Sequence, residues 1–149
     1  MDGRFAGQVG LVMGGASGIG LAIARRLLAE GASLVVADVN EANLTAVAGD
    51  KCATIAADVT VEAQVEAAVA LASDRFGRLD AAFNVAGGSR PGYIVDLAES
   101  EWDFTVDLCL KGVFLGMKHQ ARQMMRQQGG GSIVNIASLN AHVPMHAGS

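Results

Sequence analysis

Apolar residues follow two rhythms that take turns along this chain. Short unbroken runs, Val9-Gly10-Leu11-Val12-Met13 and Leu34-Val35-Val36-Ala37 among them, have the length of strands covered on both faces, and each stops at a glycine or a polar residue. Longer segments between them repeat with helical spacing. Residues 18–30 set Ile19, Ala22, Ile23 and Leu27 on one face, and residues 61–76 set Val61, Val65, Val69, Ala72 and Phe76 on one stripe, with Gly31 and Gly77 as the stops. After the first strand, further strands are expected at 33–37, 52–57, 80–83 and 132–137, with helices also at 41–48 and from Ser100 to about 128. Strand and helix alternate without a repeat, a low-complexity tract or a linker. That alternation predicts the α/β class: one domain over 1–149, built as a doubly wound parallel sheet in the order 3-2-1-4-5 with right-handed connections.

The connecting segments carry their own signals. Residues 89–98 read as a loop with Pro91 and Gly92 as its turn, and Ser100 with Asp103 resembles a capping box that opens the long helix, which Gly129-Gly130-Gly131 breaks. Gly112 and Gly116 stand one turn apart on that helix, and either admit another helix closely or face the sheet.

Chemistry concentrates where the first strand meets the first helix. There the sequence runs Gly14-Gly15-Ala16-Ser17-Gly18-Ile19-Gly20, a G-x-x-x-G-x-G spacing. A helix start has amide groups without partners and the positive end of the peptide dipole, so a pyrophosphate placed there is bound by main chain. Gly14 and Gly18 would let that main chain approach, and Gly20 would let the helix pack on the strand; the alternative is a glycine-rich turn with no ligand. Asp38 ends the second strand, where a carboxylate can accept both hydroxyls of an adenosine ribose or, alternatively, cap the next helix. It would repel a 2′-phosphate, and no Arg or Lys lies within 14–20 or just after it, so NAD is favoured over NADP. At the end of the fourth strand Asn84-Val85-Ala86-Gly87-Gly88 gathers polar and glycine residues at the sheet edge where ligands of parallel sheets bind.

Composition narrows the partners. The chain is 51% apolar with 19 glycines and 2 prolines, and its formal charge is −4 with no basic run, which argues against nucleic acid and against an anionic membrane. No 18-residue apolar span occurs and the N-terminal residues lack a secretion signal, so the chain reads as cytoplasmic. Cys52 and Cys109 stand apart from each other and from the three histidines; neither a metal site nor a disulfide is indicated, and both are expected as buried thiols.

Taken together, Gly14 to Gly20, Asp38, Asp58-Val59, Asn84-Val85-Ala86-Gly87, Trp102-Asp103 with Leu110-Lys111-Gly112-Val113-Phe114, and Gly131 to Ser138 resemble the short-chain dehydrogenase/reductase family of the NAD(P)-dependent type, over about Gly7 to Ser149. The resemblance implies a Rossmann-like fold and an enzyme that moves a hydride between nicotinamide and an alcohol or ketone. It implies that Gly14, Ser17, Gly18, Ile19 and Gly20 hold the pyrophosphate, Asp38 the adenosine ribose, and Asp58 with the Val59 amide the adenine. Asn84, Ala86 and Gly87 would line the floor near the nicotinamide-side ribose, and Ser138 would be the catalytic serine that orients the substrate carbonyl; read alone, Ser138 is a strand-end hydroxyl.

Two departures from the family pattern qualify the reading. Cys109 occupies the position where the family usually has an Asn that holds a water in the proton relay, and a thiol lacks the amide's paired donor and acceptor. The family's Tyr and the Lys one turn later lie about a dozen residues past the serine, whereas Tyr93 is the single tyrosine here and no Tyr-x-x-x-Lys occurs; His142 and His146 are weak substitutes. The family's further strands are likewise absent from the sequence, so the fifth strand is expected as an edge, with homo-oligomer formation through that strand and the long helix, or with the rest of the chain to cover it. The alternative for the chain as written is a non-catalytic dinucleotide-binding or interaction module, or a fragment that neither binds nor turns over.

Overall fold

A computed structural model describes residues 3–143. Its five strands are β1 (Val9–Met13), β2 (Ser33–Asp38), β3 (Cys52–Ala56), β4 (Ala81–Asn84) and β5 (Ser132–Asn135), all parallel, in the order β3-β2-β1-β4-β5. That is the expected order. Between them lie α1 (Gly18–Ala29), α2 (Glu41–Leu44), α3 (Glu62–Phe76), and a long helical rod made of α4 (Glu99–Val106), a π-helical turn at Asp107–Lys111, and α5 (Gly112–Arg126).

The unbroken apolar runs exist because both faces of the sheet are covered. Side chains alternate across a strand, so Val9, Leu11 and Met13 of β1 and Val35 and Ala37 of β2 join one core with Val65, Ala68, Val69 and Ala72 of α3 and Leu115 and Met124 of α5. Val12, Leu34, Val36 and Cys52 point the other way, against Ala24 and Leu27 of α1 and Leu44 of α2. Leu11 and Leu34 have no exposed surface. Truncating either to Ala leaves a cavity that typically costs 2–5 kcal/mol.

Several boundaries differ from expectation for identifiable reasons. The second helix is one turn, not residues 41–48: Asn40 caps it by accepting the Asn43 amide at 3.3 Å, and a Gly49–Cys52 bridge then folds the chain straight into β3. Val61 does not join the α3 stripe because it is the extended residue preceding the helix, and it is exposed. In the loop at 89–98 the hydrogen-bonded turn runs from Tyr93 to Asp96, closed by the Asp96 amide on the Tyr93 carbonyl at 2.9 Å, and not through Pro91-Gly92. The predicted capping box also fails. The rod begins at Glu99 after Ala98, whose carbonyl accepts the Glu101 and Trp102 amides, so Ser100 and Asp103 fall inside it.

Gly112 and Gly116 face inward: a Cβ at Gly112 would lie 2.8 Å from Val59 Cγ2, and one at Gly116 would lie 2.5 Å from Asn84 Oδ1. β5 stops at Asn135, not 137, because its neighbour β4 ends at Asn84, whose carbonyl takes the Ile136 amide as the last ladder bond. Beyond it Leu139–Ala141 forms a single 3₁₀ turn.

Candidate functional site

The carboxyl ends of β1, β2 and β4 open into one cleft of about 330 Å³. Its near wall is the turn from β1 into α1, and the structure divides the amides of that turn into two sets. Gly14 and Gly15 donate to the Ala37 carbonyl at 2.7 and 3.1 Å, and Ala16 donates to Asp38 Oδ2 at 2.9 Å. The amides of Ser17, Gly18, Ile19 and Gly20 have no protein acceptor among the described residues. These four line the cleft at the positive end of the α1 dipole, with no acidic residue in the first turn. The first set ties the turn to β2; the second is open to an anion.

The glycines sort the same way. Gly14 adopts φ +81°, and a Cβ there would sit 2.6 Å from the Ala86 amide nitrogen, so the requirement comes from β4's tip and not only from a ligand. At Gly20 a Cβ would be 2.0 Å from the Gly14 carbonyl oxygen. Gly18, at φ +49°, faces open space. Ile19, expected on the buried face of α1, is instead 62% exposed at the cleft mouth, and Gly20, Ala24 and Leu27 form the buried face.

Asp38 forms the next wall with Val39. It is not the α2 cap, which is Asn40; its Oδ1 accepts the Asn40 amide at 3.0 Å, and each carboxylate oxygen keeps a further lone pair. Asp58, Val59 and Ala57 follow from the end of β3. Asp58 Oδ1 takes both the amide and the hydroxyl of Thr60 at 2.8 and 2.7 Å, and the Asp58 amide donates to Gln64 Oε1 at 2.7 Å, which holds the segment in place. Val85, Ala86 and Gly87 beyond β4 and Leu108 from the π-helical turn complete the lining.

Thus Gly14, Ser17, Gly18, Ile19, Gly20, Asp38, Asp58, Val59, Ala86 and Gly87 come together in one cleft. Asn84 does not line it. Its side chain is buried beneath the floor and exchanges hydrogen bonds with Gln120. Ser138 also stands outside the lining, three residues past β5, exposed, with its Oγ accepting the Asn140 amide at 3.2 Å. His142 is exposed, and His146 lies outside the described residues.

Sequence reasoning missed Val39, Val85, Ala57 and Leu108. The first two follow Asp38 and Asn84 directly, but nothing local announces that a π-helical turn delivers Leu108.

The two cysteines differ. Cys52 is buried, as expected, and burial pushes its thiol up to about 11. Cys109 is exposed, contrary to expectation: it lies on the widened π-helical turn and its Sγ donates to the Gly88 carbonyl at 3.1 Å. Away from the cleft, Glu62 holds Lys118 and His119, and hydrogen bonds from these two, Lys118 first, keep its carboxyl below the usual carboxylate range. Among the described residues no helix is long and apolar enough to cross a membrane.

Known proteins place this architecture. The family profile described as short chain dehydrogenase matches residues 8–149. Levodione reductase of Leifsonia aquatica is 43% identical over 145 residues, an overlap of 91% of this chain and 54% of that protein. A 3-alpha-(or 20-beta)-hydroxysteroid dehydrogenase of Mycobacterium bovis is 42% identical over 142 residues, covering 93% of this chain and 54% of its own. Among solved structures, a short chain dehydrogenase/reductase from Burkholderia phymatum in complex with NAD superposes with a TM-score of 0.92 at 30% identity, over 97% of this chain and 54% of that one. The chain therefore spans about half the length of the curated relatives it matches. With the parallel sheet, its strand order and a match that runs from β1 to the last residue, the chain belongs to the short chain dehydrogenase family.

Proposed function

We propose that this chain carries the cofactor-binding part of an NAD-dependent oxidoreductase in which a hydride passes between nicotinamide and the carbon of an alcohol or ketone. The observation that carries the reading is the set of four amides, Ser17 to Gly20, without an acceptor among the described residues and facing a cleft whose next wall holds the Asp38 carboxylate. A diphosphate fits the amides, since Gly18 leaves open space in front of them. A ribose diol fits Asp38, and the same negative charge disfavours a 2′-phosphate, so NAD is the form proposed. On this reading Asp58 and Val59, which line the same cleft, meet the adenine, and Ala86 and Gly87 the nicotinamide side. The bound dinucleotide supplies the hydride acceptor or donor; the protein's share is binding, orientation and, through the Ser138 hydroxyl, polarisation of the substrate oxygen. The relatives named above are a reductase and a dehydrogenase, and one solved neighbour holds NAD, which supports the same class.

We further propose that the protein associates with a second copy of itself through the long helical rod. Leu110, Phe114 and Met117 are exposed at helical spacing on one face, beside a shallow apolar groove. Fluorescence titration with NADH and NADPH tests the cofactor reading, and turnover of NAD with a panel of secondary alcohols by the intact protein tests the chemistry. Saturable NADH binding, tighter than NADPH, is the expected result. Absence of binding to either nucleotide overturns the proposal.

A further inference from the structure

We infer that Gln120 is a positioning residue for the nicotinamide end of the cleft, acting through Asn84. The inference rests on the cofactor reading above. Gln120 has no exposed surface, although it is a carboxamide on α5 facing the sheet, and burying such a group costs free energy unless every donor and acceptor is matched. Here the match is reciprocal. Gln120 Nε2 donates to Asn84 Oδ1 at 2.7 Å, and Asn84 Nδ2 donates back to Gln120 Oε1 at 3.1 Å. Asn84 Nδ2 also reaches Asn135 Oδ1 at 2.7 Å, its register partner on β5, so three amides tie α5, β4 and β5 together at one level.

That level lies directly below the cleft. One residue past Asn84 the chain turns onto the Met13 carbonyl, which accepts the Val85 and Ala86 amides at 2.9 and 3.0 Å, and Ala86 and Gly87 then form the wall. Asn135 is followed three residues later by Ser138. An apolar side chain at 120 would fill the same core but would supply no direction, whereas two hydrogen bonds fix both the rotation and the lateral position of Asn84. Gly116, one turn earlier on α5, shows how tight the fit is, since a Cβ there would lie 2.5 Å from Asn84 Oδ1.

The test compares ligands that share the diphosphate and adenosine contacts but differ in the nicotinamide riboside. Gln120→Leu removes both hydrogen bonds, and Gln120→Glu keeps the shape and one of them. In the intact protein, Gln120→Leu is expected to weaken NADH binding about tenfold while ADP binding stays within about twofold, with Gln120→Glu in between. Equal changes for the two ligands, or none for either, overturn the inference, because a residue of general structural importance would move both. Two variants that both fail to fold overturn it as well and make Gln120 a core residue only. Should the unaltered protein bind NADH and ADP to no measurable extent, the cofactor reading falls and takes this one with it. ADP binding without a selective loss leaves the cofactor reading standing and sinks this one alone.

Discussion

The Asp38 carboxylate and the Ala16 amide are hydrogen-bonded at 2.9 Å, across 22 residues of sequence, so the group proposed to select the nucleotide also latches the turn that would bind its diphosphate. The same carboxylate holds the Asn40 amide at 3.0 Å through its other oxygen. Replacing it therefore has two effects that separate by measurement. Asp38→Ala leaves the Ala16 amide without its partner, which is expected to lower stability by about 1–3 kcal/mol. It also removes the ribose acceptor and the negative charge, so NADH affinity should fall about 10- to 100-fold while NADPH affinity falls less or rises. Dissociation constants for both nucleotides, with a denaturant titration alongside, check the pair of outcomes. An unchanged NADH-to-NADPH ratio would leave Asp38 as a latch and nothing more.

Gly18 and Gly20, two residues apart, should respond oppositely to the same substitution. Gly18→Ala meets open space but puts a side chain at φ +49°, which costs roughly 1–2 kcal/mol, so the variant should fold with a modestly reduced Tm. Its new methyl group would stand in the path of the diphosphate, and NADH binding should weaken by tenfold or more, on the order of 1.4 kcal/mol at least. Gly20→Ala drives a Cβ to 2.0 Å from the Gly14 carbonyl oxygen, a backbone atom inside the turn. That clash should cost several kcal/mol and give little soluble protein. Thermal melts and NADH titrations of the two variants decide the matter; a Gly18→Ala protein that binds normally would remove the diphosphate from this turn.

How far the sequence could be read follows from where its information lies. The strand order, the two covered faces and the cleft glycines were legible because apolar runs and glycines act locally: Leu11 and Val12 must point to opposite cores, and Gly20 must sit beside Gly14's carbonyl; Ser17, Ile19, Asp58 and Val59 are legible as cleft residues only through the family resemblance. What failed had two sources: local hydrogen bonds that override a motif's spacing, and partners distant in sequence. Ser100 and Asp103 have the spacing of a capping box, yet the amides of Glu101 and Trp102 are satisfied from the Ala98 carbonyl, so the rod starts earlier. The resemblance puts Asn84 on the cleft floor, but Gln120 and Asn135, 36 and 51 residues away, claim its side chain. The exposure of Cys109 follows from the π-helical turn, which no local spacing encodes.

Those two thiols give a direct check on the folded state. Cys109 is exposed, with a single weak hydrogen bond to Gly88, whereas Cys52 is buried and its thiol is pushed up to about 11. The thiolate is the reacting species, so a disulfide reagent at neutral pH should titrate one thiol quickly in the native protein and the second only on denaturation. If the Asp107–Lys111 turn also borders the cleft through Leu108, as the lining indicates, saturating NADH should slow the Cys109 reaction several-fold. Two fast thiols would mean that the β3 edge is open; two slow ones would mean that the π-helical turn is covered.

Acid should loosen the N-terminal strap as the pH approaches 2. Glu30 ends α1 and accepts hydrogen bonds from both Arg4 and Arg26, while its carbonyl takes the Phe5 amide at 3.0 Å, so the segment before β1 is tied to the helix end by one residue. The hydrogen bond from Arg4, then that from Arg26, holds the Glu30 carboxyl down at about 2, against 4.5 for a free one. A depressed carboxyl binds fewer protons folded than unfolded in the interval between those values. Its contribution is complete above about 4.5 and is lost progressively as the pH falls toward about 2. Glu30→Gln should therefore be less stable than the unaltered protein at neutral pH, by an amount that salt reduces, and the difference should close across that interval. Urea titrations of both proteins from about pH 6 down to about pH 2 supply the two curves. Parallel curves through the whole range would show that the Arg4 and Arg26 pairing contributes nothing to the fold.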